Sequence, residues 1–155
     1  MEQKLKVLEY SEEHWREVEA IIKEATSKWG KAWEKHALKL YNPKGKLGID
    51  VFRYVALVCG GIVATITLKT EVDSCVIYFL AVKKELRGRG IGSTLINFAE
   101  EFAKKKGLSI IRVDTAEEFP ENVNFYKEHG FKMGGKVKNV YMMGDSQIFF
   151  WKKTG

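Results

Sequence analysis

The sequence predicts a single α/β domain built on a mixed sheet, and three stretches predict it. Residues 75–115 read as an apolar strand, a glycine-rich turn, a helix and a second strand, an order that joins two parallel strands by a right-handed crossover. Residues 51–68 and 137–153 each read as a hairpin, which adds antiparallel pairing on either side. Neither a linker nor a repeat interrupts the 155 residues. A domain of that length buries roughly 70% of the surface its unfolded chain exposes, so a full core is available.

The elements follow in order. Lys4 to Glu9 alternates, with Leu5 and Val7 on one face, as a short strand does. Ser11 offers an N-cap for a helix in which Trp15, Val18, Ile22 and Ala25 recur every three or four residues. Ser27 offers a cap for a second helix with Trp29, Trp33, Ala37 and Leu40 on its buried side, stopped by the Asn-Pro-Lys-Gly turn at 42–45. Residues 51–58 and 62–68 are β-branched and aromatic, with Gly60-Gly61 as the two-residue turn between them. A turn at Asp73 and Ser74 leads into CVIYFLAV at 75–82, a run that fits a strand buried on both faces. From Ile91 the apolar residues Leu95, Phe98, Ala99, Phe102 and Ala103 keep helical spacing until Gly107 ends the pattern. A strand at 109–115 follows, then a short helix from Pro120 through Tyr126 closed at Gly130. Two last strands, near 137–143 and 147–153, turn at Gly144-Asp145.

Composition narrows the class. Apolar residues make up 45% and charged residues 30%, which excludes disorder, and no apolar run nears the roughly 20 residues that span a bilayer. The N-terminal stretch MEQKLKVLEY has no apolar signal region, so the expected location is the cytoplasm, with no membrane partner. Cys59 and Cys75 fall in strand-like runs without metal-ligand spacing and read as small buried hydrophobes; no metal is expected. The net charge of +6 is spread along the chain. Its one run, Lys104 to Lys106, sits where the helix dipole favours cations at a C-terminus, so a nucleic-acid partner is not expected. Many Lys and Glu with few Gln lean toward a thermophile. The chain is read as a monomer or a homodimer.

The stretch LRGRGIGSTL at 86–95 carries the chemistry. Glycines between a strand and a helix line up backbone N–H groups at the positive end of the helix dipole, which suits an anion and phosphate above all. A dinucleotide fingerprint fails, because Ser93 stands where its third glycine belongs. A P-loop fails as well, since no Gly-Lys-Ser/Thr follows. The pattern present is Arg-x-x-Gly-x-Gly, as Arg87, Gly90 and Gly92.

That pattern resembles the pyrophosphate-binding motif of the GNAT superfamily, the acyl-CoA-dependent N-acetyltransferases. The likeness extends to the Leu-x-Val strand end at Leu80 to Val82, the helix and strand that follow, and FYKEHGF at 125–131, which is similar to the family's Tyr-x-x-x-Gly-Phe helix. It covers residues 75–131. The resemblance implies a mixed, mostly antiparallel sheet of about seven strands with a parallel central pair, flanked by about four helices. It implies that acetyl-CoA is the co-substrate, with its pyrophosphate held by the amides of Arg87, Gly88, Arg89, Gly90, Ile91, Gly92 and Ser93. Leu80, Ala81 and Val82 would offer main-chain groups to the pantetheine arm, and an amide near Val82 would polarise the thioester carbonyl.

By the same resemblance Tyr126 takes the place of the general acid that protonates the departing thiolate; the competing reading is a ring packed on the sheet beside Phe125 and Phe131. The family often has Asn seven residues before that tyrosine, where this chain has Phe119. Asn122, one helical turn before Tyr126, is the candidate substitute, against a plain surface residue. The central strand carries no carboxylate, so the general base is sought at Asp114, Glu117 and Glu118 or through a water relay. Trp29, Trp33, His36 and Tyr41 could line an acceptor pocket, although helical spacing favours core for the tryptophans. His14 and His129 read as exposed, without a role. The expected reaction moves an acetyl group to the primary amine of a small molecule or peptide by direct attack in a ternary complex. The alternative is a catalytically silent acyl-CoA-binding or sensor module.

Overall fold

The computed structural model describes residues 4–41 and 50–155, so the expected turn at 42–45 lies outside the described residues. Among the described residues seven strands form one sheet: β1 (Lys6–Glu9), β2 (Val51–Val58), β3 (Gly61–Glu71), β4 (Ser74–Val82), β5 (Ile110–Ala116), β6 (Lys132–Lys138) and β7 (Ser146–Lys153). Their order is β1-β2-β3-β4-β5-β7-β6. β4 and β5 run parallel, and the pairs β1 with β2, β2 with β3, β5 with β7 and β6 with β7 run antiparallel. Four helices accompany them: α1 (Trp15–Thr26), α2 (Lys31–Tyr41), α3 (Ile91–Lys105) and α4 (Pro120–Glu128). The mixed sheet with its parallel pair is the expected architecture. None of these helices is long and apolar enough to cross a membrane.

Contacts divide the chain into two compact units. The first holds the residues up to Lys69 together with 78–95. In it α1 buries Val18, Ile21, Ile22 and Thr26, the three-and-four spacing of one helix face, and α2 buries Ala37, Leu40 and Tyr41. They share a core with Val55, Ile62, Phe79 and Ala81 from the strands. Each fully buried aliphatic side chain there contributes roughly 1.5–3 kcal/mol. Polar ties fix α1: Glu17 accepts the Ile62 amide at 3.1 Å and Glu24 accepts the Lys84 amide at 2.6 Å. Tyr41 is fully buried, with its phenol oxygen 2.8 Å from Thr65 Oγ1 and 2.5 Å from Thr67 Oγ1. Burial pushes that phenol up to about 12.

The second unit holds residues 70–77 and 96–155. β5 alternates, with Ile111, Val113 and Thr115 buried and Arg112 and Asp114 half-buried on the other face. Phe131 and Phe150 complete a core with Tyr126 of α4. Pro120 opens α4 at its first turn, and Gly130 leaves it with φ +83.

Several boundaries differ from expectation. Ser11 precedes a 3-10 turn at Glu12–His14, its amide donating to His14 Nδ1 at 3.0 Å, so His14 is a half-buried capping group and not an exposed side chain. Ser27 ends α1, its hydroxyl on the Glu24 carbonyl at 2.8 Å, and α2 starts only at Lys31, after Gly30 with φ +94. The first hairpin turns at Cys59 and Gly60, φ +51 and +79, one residue earlier than expected. Both signs are what a tight hairpin turn requires, and they leave Cys59 exposed; Cys75 alone is buried. β4 is not buried throughout, because Tyr78 is 38% exposed. β6 begins directly after α4 instead of near 137, and residues 139–145 form the connection to β7. His129 is half-buried, with Nδ1 2.6 Å from the Phe125 carbonyl.

Candidate active site

In the first unit the expected cofactor-binding residues lie on one continuous stretch: the end of β4, a 3-10 turn at Lys84–Leu86, the glycine loop and the first turn of α3. Ala81 is buried, while Leu80 and Val82 are half-buried. Gly88 and Gly90 hold φ +76 and +85, conformations that L side chains avoid, and a Cβ built on either meets nothing within 4 Å. These glycines therefore serve backbone shape, not tight packing within the protein. The Thr94 amide closes the first helical bond on the Gly90 carbonyl at 3.0 Å, so the amides of Ile91 and Gly92 precede the first bond of α3. Ile91 is buried and anchors the helix start, while Gly92 and Ser93 are half-buried beside it.

The two arginines divide their roles. Arg87 donates through Nε to the Val82 carbonyl at 3.1 Å, tying the loop back to the strand that feeds it. That tie had no counterpart in the sequence reading. Arg89 and the Arg87 guanidinium are exposed, and both add positive charge around a loop of left-handed glycines and early helix amides.

In the second unit α4 places Tyr126 against Phe131 and Phe150, with ring centroids 5.6 and 6.1 Å apart. Its ring is therefore packed, with Phe125 as well at 5.2 Å, as the competing reading has it. Burial raises its phenol pKa well above the usual value, and the Asp114 charge raises it further. Phe119 is the N-cap of α4 and makes no side-chain cap; its carbonyl takes the amides of Asn122 at 3.0 Å and Val123 at 3.3 Å. Asn122 is half-buried a turn before Tyr126.

The three carboxylates separate clearly. Glu117 is exposed and bonded to Lys136 at 2.5 Å, which lowers its pKa. Glu118 is exposed. Asp114 is half-buried, and burial raises its pKa against the pull of a hydrogen bond from the Tyr141 hydroxyl at 2.6 Å and of Arg112. Arg112, two residues back on β5, is itself ion-paired with Glu71. Of the three, Asp114 is thus the one that is half-buried and held by a hydroxyl donor. Tyr41, expected at an acceptor pocket, is instead committed to Thr65 and Thr67 inside the core. His36 stacks edge-on with Trp33 and Tyr78, centroids 6.4 and 5.8 Å away.

A model of the acetyltransferase (GNAT) family matches residues 15–131. The chain belongs to that family. The likeness read from residues 75–131 is borne out and extends toward the N-terminus. Among curated relatives, an uncharacterised N-acetyltransferase of Methanocaldococcus jannaschii is 42% identical over 67 residues, which are 43% of this chain and 30% of that one. The chain thus spans under a third of that relative's length. A Bacillus subtilis protein bearing the provisional name ribosomal protein bS18-alanine N-acetyltransferase is 30% identical over 141 residues, 90% of this chain and 87% of the other.

Solved GNAT structures share the fold. A provisionally assigned GNAT acetyltransferase from Desulfovibrio desulfuricans superposes with a TM-score of 0.85 over 98% of this chain and 100% of its own, at 14% identity. A provisionally assigned streptothricin acetyltransferase from Bacillus anthracis, in complex with acetyl coenzyme A, gives 0.64 at 26% identity over 68% of this chain and 64% of its own.

Proposed function

We propose that this GNAT-family acetyltransferase moves the acetyl group of acetyl-CoA to the α-amine of a peptide or protein N-terminus, by direct attack in a ternary complex. The observation that carries the choice of acceptor is the environment of Asp114, a half-buried carboxylate whose charge acts on Tyr126. Even a raised carboxyl pKa leaves a modest base, and acceptors differ in what they ask of it. An α-ammonium with pKa near 8 costs about 1.4 kcal/mol to deprotonate at pH 7, whereas a lysine-like ammonium costs about 4.6 kcal/mol. Asp114 suits the first. The near full-length similarity to the Bacillus subtilis relative, whose name specifies an N-terminal alanine acceptor, supports the same class.

In this reading the loop from Arg87 to Ser93 binds the pyrophosphate through backbone amides, and Leu80 to Val82 offer main-chain groups to the pantetheine arm. β4 and β5 pair in parallel through Ser74–Val76 and Ile110–Arg112. The amine nitrogen attacks the thioester carbonyl carbon, Asp114 accepts the ammonium proton directly or through a water, and the carbon–sulfur bond breaks. Tyr126 then offers its O–H to the departing sulfur. An acyl-cysteine route through Cys75 is disfavoured, because that thiol is buried and burial pushes its pKa up to about 12.

The test is CoA-thiol release with a panel of free N-terminal peptides, the same peptides blocked at the α-amine, free lysine, polyamines and aminoglycosides. Release with the free peptides alone, and product mass spectra placing the acetyl group on the α-nitrogen, is the expected result. Release that follows lysine or polyamine and ignores the N-terminus would overturn the acceptor class. No release with any amine, despite CoA binding, would favour the silent binding module.

A further inference from the structure

We propose that Tyr141, in the connection between β6 and β7, is a positioning residue for Asp114: its hydroxyl holds Oδ2 and so orients the carboxylate that takes the acceptor's proton. The proposal rests on the reading of Asp114 as general base. Tyr141 lies 27 positions away in sequence and 45% of it is exposed, yet its hydroxyl donates to Asp114 Oδ2 at 2.6 Å.

The backbone that carries this tyrosine is fixed from within. Asp145 Oδ1 accepts the Val140 amide at 2.7 Å and Oδ2 accepts the Tyr141 amide at 3.1 Å. The Asn139 amide bonds the Asp145 carbonyl at 2.9 Å, and Asn139 Oδ1 accepts the Gly144 amide at 2.7 Å. Asn139 and Gly144 take left-handed φ values of +58 and +89, which shape the connection at either end. A surface tyrosine needs no such frame to be soluble. The frame instead sets where its one hydroxyl points.

Consequences for the proton follow from who else acts on Asp114. Arg112, on its own strand, favours the charged form but is shared with Glu71. Asp145, from the connection, favours the neutral form, and Tyr126, from α4, interacts with its charge; Phe149 of β7 stands opposite in the ladder and carries no charge. The Tyr141 hydrogen bond is therefore the main influence opposing burial, ahead of Arg112 and of a hydrogen bond from the Asp114 amide itself.

The experiment compares the wild type with Tyr141→Phe, a change at an exposed ring that leaves the packing intact. A carbon-13 carboxyl titration should show the Asp114 pKa rise by about 0.5–1 unit when one hydrogen bond to the charged form is lost. The acidic limb of kcat/KM should move up by the same amount, with a loss of about three- to tenfold at pH values below the midpoint of that limb, little change on the plateau above it, and an unaltered KM for acetyl-CoA. An unmoved carboxyl titration, or a uniform loss across pH with a lowered Tm, would overturn the positioning role. A carboxyl pKa that rises without the limb following, or an Asp114→Asn enzyme with full kcat, would instead overturn the base reading and the catalytic role of Tyr141 with it. An inactive Asp114→Asn enzyme beside an unmoved Tyr141→Phe titration removes the positioning role alone.

Discussion

The Asp114 carboxylate on β5 acts on the buried phenol of Tyr126 on α4, adding to the effect of burial in holding that phenol protonated. Such a phenol keeps its proton at any working pH, which suits a donor and rules out a base. Full transfer to a thiolate is uphill, since a thiol has pKa near 8.5 and the phenol lies above 10, a gap of at least about 2 kcal/mol. The contribution of Tyr126 is then a hydrogen bond to developing charge on sulfur. Tyr126→Phe keeps the ring against Phe131 and Phe150, so steady-state kinetics should show kcat lowered about 10- to 100-fold, with the KM for acetyl-CoA nearly unchanged. An unaltered kcat would remove Tyr126 from the chemistry.

Asp114 itself should cost stability. Its folded pKa is raised above the unfolded value, so its contribution is fully present below the unfolded pKa and is lost as pH rises through the folded pKa. Neutral pH lies above that window. Asp114→Asn, which keeps an oxygen to accept the Tyr141 hydroxyl, should raise Tm at pH 7 while removing most activity, and the gain in Tm should vanish below about pH 4. Thermal unfolding at both pH values measures the sign; a lower Tm at pH 7 would show that the carboxylate stabilises the fold.

Tyr41 makes the opposite case, a polar group that holds structure and does no chemistry. Tyr41→Phe keeps the ring but withdraws the partner of Thr67 and one partner of Thr65, both fully buried. The cost should be about 1–3 kcal/mol. In a protein of this size that lowers Tm by about 2–4 °C for each kcal/mol. Peptide and acetyl-CoA KM values should stay as they are, and a selective rise in the amine KM would return Tyr41 to the acceptor site.

What the sequence made legible was local. The β4, glycine loop, α3 and β5 order could be read because periodicity switches sharply and Gly88, Gly90 and Gly107 all sit at left-handed φ, where glycine is the natural choice. Ser27 misled because serine closes a helix by bonding back to a carbonyl as readily as it opens one. Cys59 misled because its neighbours are strand formers and only the turn geometry exposes it. Residues 140–143 have strand-forming composition, yet the Asp145 carboxylate draws their amides into a loop. Of the candidate site, the glycine loop stood out in the residues themselves, whereas Tyr126 entered only through the resemblance of its helix to the family's. The difference in environment between Asp114 and Glu117 was not legible, because it depends on Tyr141 and Lys136, partners brought from 27 and 19 positions away.

Gly90 gives the sharpest test of the cradle, because strain and charge can be separated at one position. Any L side chain at φ +85 is strained by roughly 1–2 kcal/mol, but it projects into open space, so the fold should survive substitution. Gly90→Ala should lower Tm slightly and weaken CoA binding through loop geometry alone. Gly90→Asp places a carboxylate at the cap of α3, where the dipole and the early amides welcome an anion, so its Tm should be no lower than that of Gly90→Ala. That same carboxylate competes with the pyrophosphate for those amides and repels it. Calorimetric titration with CoA should therefore find binding reduced in Gly90→Ala and lost in Gly90→Asp. Equal affinities in the two variants would mean that the pyrophosphate is held elsewhere, and a binding loss that follows Tm would point to strain without a cradle.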